Sequence, residues 1–493
     1  MTESTCTTEA LPDSSRLGRC TSLLRRIFSY PAALAAGLVT VTVLTAVGRL
    51  DDPDVWWHLR VGEIIWKTHV LPSSDLFSFT AKDHSWIAHE WLSEVTLYAA
   101  YRVGGYRGLV LWACIAGALI YLIVYLLCWR MTKNALVSLR GGMIAFCFGS
   151  VGLSTRPLLL GHLCLAAEIL ILELARTRHV RWLWLLPPIF TVWVNCHGSY
   201  VVGIAVLALY FGCSFLKGHY SLFVSEEWAP RLRRTLAGML ALCTAAVFVN
   251  PIGFRLVLYP FDVLFRQKTN VGAIEEWFPP SLSEANTFVL LAAMGGILVL
   301  IMLRRLSIRE VALACMASGM ALQHRRMVFL FGIITAPILS HYGWGRAGKR
   351  EHPLANAAII SCCLIVLIWA FPDNTALEAQ IQRASPVKAV QYIRQAHLSG
   401  PMLNEFQFGG YLIWRMPETK VFIDGRTDLF DWTGVMSEYL RWASLQEDPA
   451  LLLNKYHIKF CLLYRHAPLA RVIPYLPGWK EVYADDLAVI FAR

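Results

Sequence analysis

The sequence predicts a polytopic α-helical membrane protein that carries a small α/β domain at its C-terminal end. Of its 493 residues, 56% are hydrophobic and only 16% are charged, and the mean hydropathy is +0.49. Up to residue 371 the apolar residues form long runs, which is typical of helices that cross a bilayer. From residue 372 onward the pattern changes to short segments with alternating helix and strand periods.

About eleven apolar runs are long enough to span a membrane if the shorter ones are accepted as marginal spans. They cover residues 28–49, 107–129, 135–153, 157–176, 181–195, 198–217, 234–252, 286–304, 307–322, 327–342 and 354–371. Residues 1–27 are polar and basic, and we expect a disordered cytoplasmic N-terminus there. The bundle is therefore predicted over residues 28–371, and the α/β domain over residues 372–493.

The charges of the connecting loops predict how this bundle is oriented. Cytoplasmic loops are enriched in Lys and Arg, and every second loop of this chain is basic. These loops hold Arg130 and Lys133; Arg176, Arg178 and Arg181; Lys217, Arg231, Arg233 and Arg234; Arg304, Arg305 and Arg309; and Arg346, Lys349 and Arg350. The N-terminus is then cytoplasmic, and the loop 51–106 and the C-terminal domain lie outside. The net charge of +11 reflects this topology, and no nucleic-acid partner is expected.

Two amphipathic helices are predicted in the loop 51–106. Val55, Leu59, Gly62 and Trp66 share one helical face, and a second such face starts at Trp91 after the break "PSSDLFS". Apolar faces with several tryptophans are typical of helices that lie in the membrane interface. The bilayer surface is thus an expected partner of this loop.

The C-terminal segment predicts a mixed domain. "SPVKAVQYIRQAHL" and "DPALLLNKYHI" are typical of helices, whereas "PMLNEF", "KVFIDG", "KFCLLY" and the closing "WKEVYADDLAVIFAR" are typical of strands. Asn404, Glu405, Gly409, Gly410 and the "IDGR" stretch are expected at strand ends and turns. Glycines there favour turn chemistry, although loops at strand ends also commonly carry ligands.

Unusual polar residues gather in the loops that are predicted to be outside. They are Arg156, Asn195, His197, Glu275, Glu276, His324, Arg325 and Arg326. Cations on this side break the positive-inside pattern, so they need an anionic partner. Phosphate suits a guanidinium, because its oxygens match the planar fork. Contact with lipid headgroups or pairing with Glu275 and Glu276 is the alternative.

The segment Asp52-Pro53-Asp54 has a D-x-D form, in which carboxylates bind a metal or take a proton from a hydroxyl group. The pattern alone is a weak signal. An aspartate just before an amphipathic helix can instead cap the free backbone N–H groups. His58 and Glu63 follow one and two turns later and could extend the same polar face.

Several motifs together resemble a known superfamily. An acidic pair after the first span, two interfacial helices, about eleven spans and a small outer domain resemble the C-type glycosyltransferase (GT-C) superfamily. "DPDVWWHLRVGE", "HEWLSE", "NCHGS", "NPIGFRLVLYP", "NEFQFGGYLIW" and "VFIDGR" are similar to motifs of a largely uncharacterised group of bacterial polytopic membrane proteins. The resemblance covers most of the chain after residue 48, and it implies the inner membrane as location.

This resemblance implies inverting transfer of a hexose or pentose from a polyprenyl phosphate to a glycan, lipid or protein acceptor. Asp54 is then the general base, with Asp52 beside it; many GT-C enzymes have Asp-Glu here, so the acting aspartate stays open. Arg156, His197, Arg325 and Arg326 would hold the donor phosphate. Residues expected in the cavity or at the acceptor are His58, Glu90, Asn195, Glu276, Asp424 and Arg426. Any divalent cation would bind Asp52 and Asp54.

The runner-up function is a transporter or lipid flippase. Transporters usually place ionisable groups at the membrane midplane, and Glu168 alone is predicted that deep. A zinc protease is excluded, because Ser93 stands where "HEWLS" would need its second histidine. The sequence contains neither a P-loop nor a dinucleotide fingerprint.

Overall fold

The computed structural model describes residues 26–219, 224–225, 228–342 and 352–493. Residues 1–25, most of the predicted N-terminal tail, lie outside this range. The first fourteen helices are α1 Tyr30–Ala46, α2 Val55–Thr68, α3 Trp91–Thr132, α4 Ala135–Gly149, α5 Leu158–Thr177, α6 Leu186–Cys196, α7 Tyr200–Cys213, α8 Pro230–Ala246, α9 Phe254–Arg266, α10 Lys268–Ala273, α11 Ala285–Met302, α12 Ile308–Gln323, α13 Val328–Tyr342 and α14 Pro353–Ala370. A two-stranded hairpin, β1 Gly218–His219 and β2 Val224–Ser225, follows α7.

Each of the apolar runs contains a helix, which confirms a polytopic helical fold. Among the described residues, four segments are long and apolar enough to cross a membrane: α3, α4 with the turn that follows it, α5 and α14. Helices α1 and α7 and most of α11 are apolar but shorter. The number of spans stays a prediction.

Helix α3 joins the second predicted interfacial helix to the next span. At Gly105 the backbone leaves the helical region, with φ 57° and ψ −140°. A positive φ of this kind is open to glycine and costly for other residues. Glycine therefore lets the chain turn where the surface helix ends and the span begins.

Helix α9 is a feature that the sequence analysis missed. It follows the "NPIG" turn, in which the Asn250 side chain accepts a hydrogen bond from the backbone N–H of Ile252 (3.0 Å). Leu256 on α9 is buried, whereas Phe261 and Phe265 are exposed. The run of apolar residues is too short and too one-sided to be recognised as a span.

The C-terminal domain is built on a four-stranded sheet with order β3-β4-β6-β5. Its strands are β3 Met402–Asn404, β4 Phe460–Tyr464, β5 Lys480–Ala484 and β6 Ala488–Ala492. Its helices are α15 Asn374–Ala384, α16 Val387–Gln395, α17 Gly409–Arg415, α18 Thr427–Trp432, α19 Val435–Ala443, α20 Pro449–Lys455 and α21 Pro468–Val472. Strands β3 and β4 are parallel, and the other pairs are antiparallel.

The prediction of a strand at "KVFIDG" is wrong, because this segment pairs outside the sheet. The Val421 N–H donates to the carbonyl of Phe77 (3.0 Å), and the Phe79 N–H donates to the carbonyl of Val421 (3.1 Å). The side-chain amide of Asn404 accepts a hydrogen bond from the Phe422 N–H and donates one to the carbonyl of Ile423. The segment therefore ties the first loop to the end of β3.

The prediction of a turn at Gly409 and Gly410 is also wrong, because both residues begin helix α17. A side chain at Gly410 would overlap the carbonyl oxygen of Pro53, and one at Gly409 would overlap the backbone of Ile423. These glycines allow close packing of α17 on the start of α2. The ring of Trp56 on α2 meets Tyr411 edge-on, with centroids 5.4 Å apart.

Two hydrophobic cores result from this packing. One core lies within the bundle, from α1 to α13. The other joins α2, the first loop and the start of α3 to the whole C-terminal domain. The domain is thus packed directly on the loop that carries the aspartates.

Candidate active site

The guanidinium of Arg156 forms ion pairs with three carboxylates, two from the segment before α2 and one from the segment between α10 and α11. Its Nε lies 2.5 Å from Asp52 Oδ2, its Nη2 2.9 Å from Asp54 Oδ2, and its Nη1 2.7 Å from Glu276 Oε1. Burial opposes the charge of Arg156, but the three carboxylates outweigh it and hold its pKa above the ordinary value. Arg156 therefore fixes both aspartates in place.

The aspartates do not cap helix α2. Asp54 is its N-cap residue, but its side chain accepts no hydrogen bond from the backbone N–H groups of the first turn. The Asp52 Oδ1 atom accepts a hydrogen bond from the Asp54 N–H (3.0 Å), which shapes the turn ahead of the helix. The capping alternative is therefore wrong, and both carboxylates face Arg156.

Asp54 has the properties of a proton acceptor. Its Oδ1 accepts a hydrogen bond from the indole N–H of Trp57 (3.2 Å). Burial is the largest effect on its pKa; Arg156 opposes it and Asp52 adds to it, and the pKa rises to about 6. A carboxyl group that titrates near neutral pH is suited to general base catalysis.

Three histidines surround the carboxylate of Glu90. The Nε2 atoms of His58, His89 and His197 lie 3.7, 3.7 and 3.5 Å from its oxygens. Burial lowers the pKa of all three histidines and raises that of Glu90. The charges of Arg326, Asp54 and Arg156 also act on Glu90, so this cluster adjoins the aspartates.

His197 is held in one tautomer. Its Nδ1 accepts a hydrogen bond from the Ser199 N–H (3.1 Å). A neutral imidazole with Nδ1 as acceptor carries its proton on Nε2. His197 therefore presents an N–H donor toward the cluster.

Arg326 is a cation without an acidic partner within ion-pair distance among the residues that the structure describes. Its guanidinium lies 4.4 Å from the centre of the Trp277 ring. Burial lowers its pKa, while the charges of Glu276 and Glu90 raise it. It is half-buried, and its fork remains available for an anion.

Comparison with known proteins identifies the fold. No protein-family model and no curated protein matches the chain. The crystal structure of ArnT from Cupriavidus metallidurans bound to undecaprenyl phosphate is similar, with TM-score 0.53, 13% identity, and coverage of 94% of this chain and 97% of ArnT. ArnT is a GT-C glycosyltransferase.

The chain has the GT-C fold. The apo structure of the same ArnT agrees, with TM-score 0.51, 13% identity, and coverage of 97% and 98%. The predicted polytopic helical GT-C fold is thereby confirmed, while the number of helices and the C-terminal domain of the predicted architecture stay predictions. The finer resemblance to a group of bacterial polytopic proteins stays a prediction.

Within this GT-C fold, Arg325 pairs with acids other than the two aspartates. Its Nη1 lies 2.7 Å from Glu275 Oε1, and its Nη2 pairs with Glu284. Its backbone N–H donates to the carbonyl of Phe278 (2.9 Å). Of the two neighbouring arginines, Arg325 is thus paired with two carboxylates, whereas Arg326 contacts the ring of Trp277.

Asn195 connects the "NCHGS" turn to neighbouring elements. Its Oδ1 accepts the Trp91 indole N–H (2.8 Å), and its Nδ2 donates to the carbonyls of Thr191 (2.7 Å) and Val249 (3.0 Å). The side chain is therefore engaged on all sides. Asn195 therefore positions the start of α3. This part of α3 carries Glu94, whose Oε1 lies 3.0 Å from His58 Nδ1.

Asp424 and Arg426 lie in the contact between the C-terminal domain and the first loop. Arg426 is 1% exposed, and its Nη2 lies 2.7 Å from both Asp424 Oδ2 and Asp75 Oδ1. Its guanidinium also faces the rings of Phe77 and Trp86. Gly425 lies between Asp424 and Arg426 in the sequence, and a side chain at this position would overlap the carboxylate of Asp54. The contact between the domain and the first loop therefore lies directly beside Asp54.

A divalent cation between Asp52 and Asp54 does not fit this geometry. Arg156 already supplies the positive charge that both carboxylates face. Among the described residues, no group of three or more His, Cys, Asp or Glu side chains is arranged to hold a metal ion. The two aspartates therefore bind Arg156 in the place where a metal ion was expected.

Sequence reasoning missed His89 and Glu94 as members of the site. Glu90 and Glu94 are four residues apart and so share one face of a helix. His89 stacks on Tyr259 of α9, with ring centroids 4.1 Å apart. The polar spacing within "HEWLSE" was the available signal.

Proposed function

We propose that this protein is a membrane glycosyltransferase that uses a polyprenyl-phosphate sugar as donor. Two observations at one end of a GT-C bundle carry the proposal: the pKa of Asp54 is raised to about 6, and the guanidinium of Arg326 has no acidic partner within ion-pair distance among the described residues. The undecaprenyl phosphate bound to ArnT supports the class of donor. The sugar and the acceptor are not specified by this geometry.

The proposed reaction is a single inverting displacement. The acceptor oxygen attacks the anomeric carbon, and the bond from that carbon to the phosphate oxygen breaks. The acceptor proton passes to Asp54, and the bonding electrons leave with the polyprenyl phosphate. A positioned carboxylate contributes roughly two to four orders of magnitude to such a step.

The cations divide their roles in this proposal. Arg326 and the Nε2–H of His197 bind the donor phosphate, whose negative charge grows as the bond breaks. Arg156 is engaged by Asp52, Asp54 and Glu276, so it positions the base. Arg325 acts outside the reaction, through its pairs with Glu275 and Glu284.

The membrane orientation belongs to the same proposal. The N-terminus lies in the cytoplasm, and the bundle of residues 28–371 presents Asp54 and the domain 372–493 on the outer side of the inner membrane. A C-terminal alkaline phosphatase fusion should be active, and a C-terminal fluorescent protein that folds only in the cytoplasm should be dark. The reverse pattern contradicts this orientation.

Transport is a second candidate, and one observation favours it. Glu168 in α5 is fully buried, and neither carboxylate oxygen has a hydrogen-bond partner among the described residues. A buried acid within a span is typical of ion-coupled transporters. A flippase would move the lipid-linked sugar without consuming it.

One reconstitution distinguishes the two candidates. Purified protein in proteoliposomes is given a polyprenyl-phosphate donor with a radiolabelled sugar, together with a cell-envelope extract as acceptor source. Glycosyl transfer predicts labelled product and free polyprenyl phosphate, both unaffected by Glu168→Gln. Movement of intact donor across the bilayer, abolished by Glu168→Gln, would favour the flippase.

A further inference from the structure

The C-terminal domain contains a cavity whose lining does not include the aspartates. Its volume is about 340 Å³, near the lower end of the range for small-molecule sites. The lining residues that matter here are Glu405 directly after β3, Tyr439 and Trp442 of α19, Tyr464 at the end of β4, and His466 in the loop that leads to α21. This size admits one or two sugar rings but no folded segment.

The topology favours a binding site at this place. Strands β3 and β4 are parallel, and Glu405 directly follows β3 while Tyr464 ends β4. The loops beyond the carboxyl ends of parallel strands commonly hold ligands. The same connection runs from Glu405 into helix α17, which packs on the start of α2 beside Asp54.

One wall of the cavity supplies hydrogen-bond acceptors. The Glu405 Oε2 accepts the hydroxyl of Tyr439 (2.8 Å), and its Oε1 accepts the Tyr464 N–H at a longer 3.3 Å. A carboxylate has about four acceptor positions. These two bonds therefore leave positions open for donors from a ligand.

Other residues in the cavity supply apolar faces. The Trp442 side chain is 1% exposed, and its indole nitrogen is buried. Tyr439, Tyr464 and Trp442 also bring three aromatic rings to the lining.

We propose that this cavity binds a pyranose ring of the acceptor saccharide. A sugar hydroxyl group can donate a hydrogen bond to the open positions of the Glu405 carboxylate. A quaternary ammonium ion has no N–H or O–H group to donate to this carboxylate, and an anion would be repelled by it. The apolar C–H faces of a sugar suit the aromatic rings, which are large rigid contact surfaces.

The proposal rests on the proposed function only in calling the saccharide an acceptor. Binding itself needs no donor and no transfer. Asp54→Asn should therefore abolish transfer and leave saccharide binding unchanged. Loss of the glycosyltransferase assignment and loss of this cavity assignment are thus separate results.

Saturation-transfer NMR on the purified full-length protein in nanodiscs tests the proposal. The probes are methyl glycosides of glucose, galactose, mannose and N-acetylglucosamine, with tetramethylammonium and inorganic phosphate as comparison ligands. We expect at least one glycoside to bind and both ions to fail. Glu405→Gln and Trp442→Phe should each weaken binding about tenfold or more.

Matched variants make the outcome interpretable. Trp432→Phe changes an exposed tryptophan of the same domain that does not line the cavity, and it should bind as the parent protein does. His466→Ala changes the exposed rim without disturbing the core, so it covers the case in which Trp442→Phe misfolds. Preferential binding of tetramethylammonium, absence of glycoside binding, or binding that survives both His466→Ala and Glu405→Gln would overturn the proposal.

Discussion

At the scale of single residues, one guanidinium determines what the two aspartates can do. Arg156 faces Asp52 through Nε and Asp54 through Nη2. Of the two aspartates, Asp54 also accepts a hydrogen bond from the Trp57 indole N–H, on its other carboxylate oxygen. The pKa of Asp54, raised by burial to about 6, places its change of charge within the physiological pH range.

The pH dependence of transfer follows from this value. A general base must be deprotonated, and Asp54 is protonated below about pH 6 because burial outweighs Arg156. We expect kcat/KM to fall about tenfold per pH unit below pH 6 and to level off above it. A rate that stays constant down to pH 4 contradicts this role for Asp54.

The two neighbouring arginines give a matched pair of variants. Arg326→Gln removes a guanidinium that lies over Trp277 and has no acidic partner within ion-pair distance among the described residues. We therefore expect polyprenyl phosphate to bind about tenfold to a hundredfold more weakly. Arg325→Gln breaks pairs with Glu275 and Glu284 and should leave that affinity nearly unchanged. Titration with polyprenyl phosphate in detergent micelles measures both. Equal losses in the two variants would refute the assignment.

At the scale of elements, periodicity predicted the helices and failed for pairing across the chain. The apolar runs and the amphipathic segment from Val55 gave the positions of the helices, because burial on one face leaves a 3.6-residue period. "KVFIDG" alternates like a strand, yet it bonds Phe77 and Phe79 in the first loop. Alternation reports that a segment is extended and half-buried, and it does not report the partner.

The close approach of two elements at Gly425 is open to a direct test. A methyl group there would overlap Asp54 Oδ1 and lie 2.8 Å from Trp57 Nε1. We expect Gly425→Ala to lower the transfer rate by about tenfold or more, since small displacements of a catalytic group are costly. Gly238→Ala in α8, where nothing lies within 4 Å, serves as the control. An unchanged rate in Gly425→Ala would separate this contact from catalysis.

At the scale of the whole molecule, the C-terminal domain and the first loop behave as one packed unit. Arg426 joins Asp424 of the domain to Asp75 of the loop in a buried contact. The sequence predicted both segments on one side of the membrane, because an even number of predicted spans, ten, separates them. It could not predict this ion pair, since residues 351 positions apart carry no periodic signal.

Removing Arg426 should loosen that unit. Arg426→Met leaves Asp75 and Asp424 buried without a counter-charge, which typically costs about 3–5 kcal/mol. Arg441→Met, at an exposed pair with Glu447, should cost less than about 1 kcal/mol. Thermal unfolding and protease sensitivity of the domain measure the difference. Equal stability of the two variants would show that the Arg426 contact does not hold the domain.

The central claim is that Asp54 takes the proton of the acceptor. Its most direct test compares Asp54→Asn with Asp51→Asn, a neighbouring exposed aspartate, in transfer from a radiolabelled polyprenyl-phosphate sugar. We expect Asp54→Asn to lower kcat about 100-fold to 10,000-fold with donor affinity nearly unchanged, and Asp51→Asn to retain the parent rate. A kcat for Asp54→Asn within tenfold of the parent value would contradict the account.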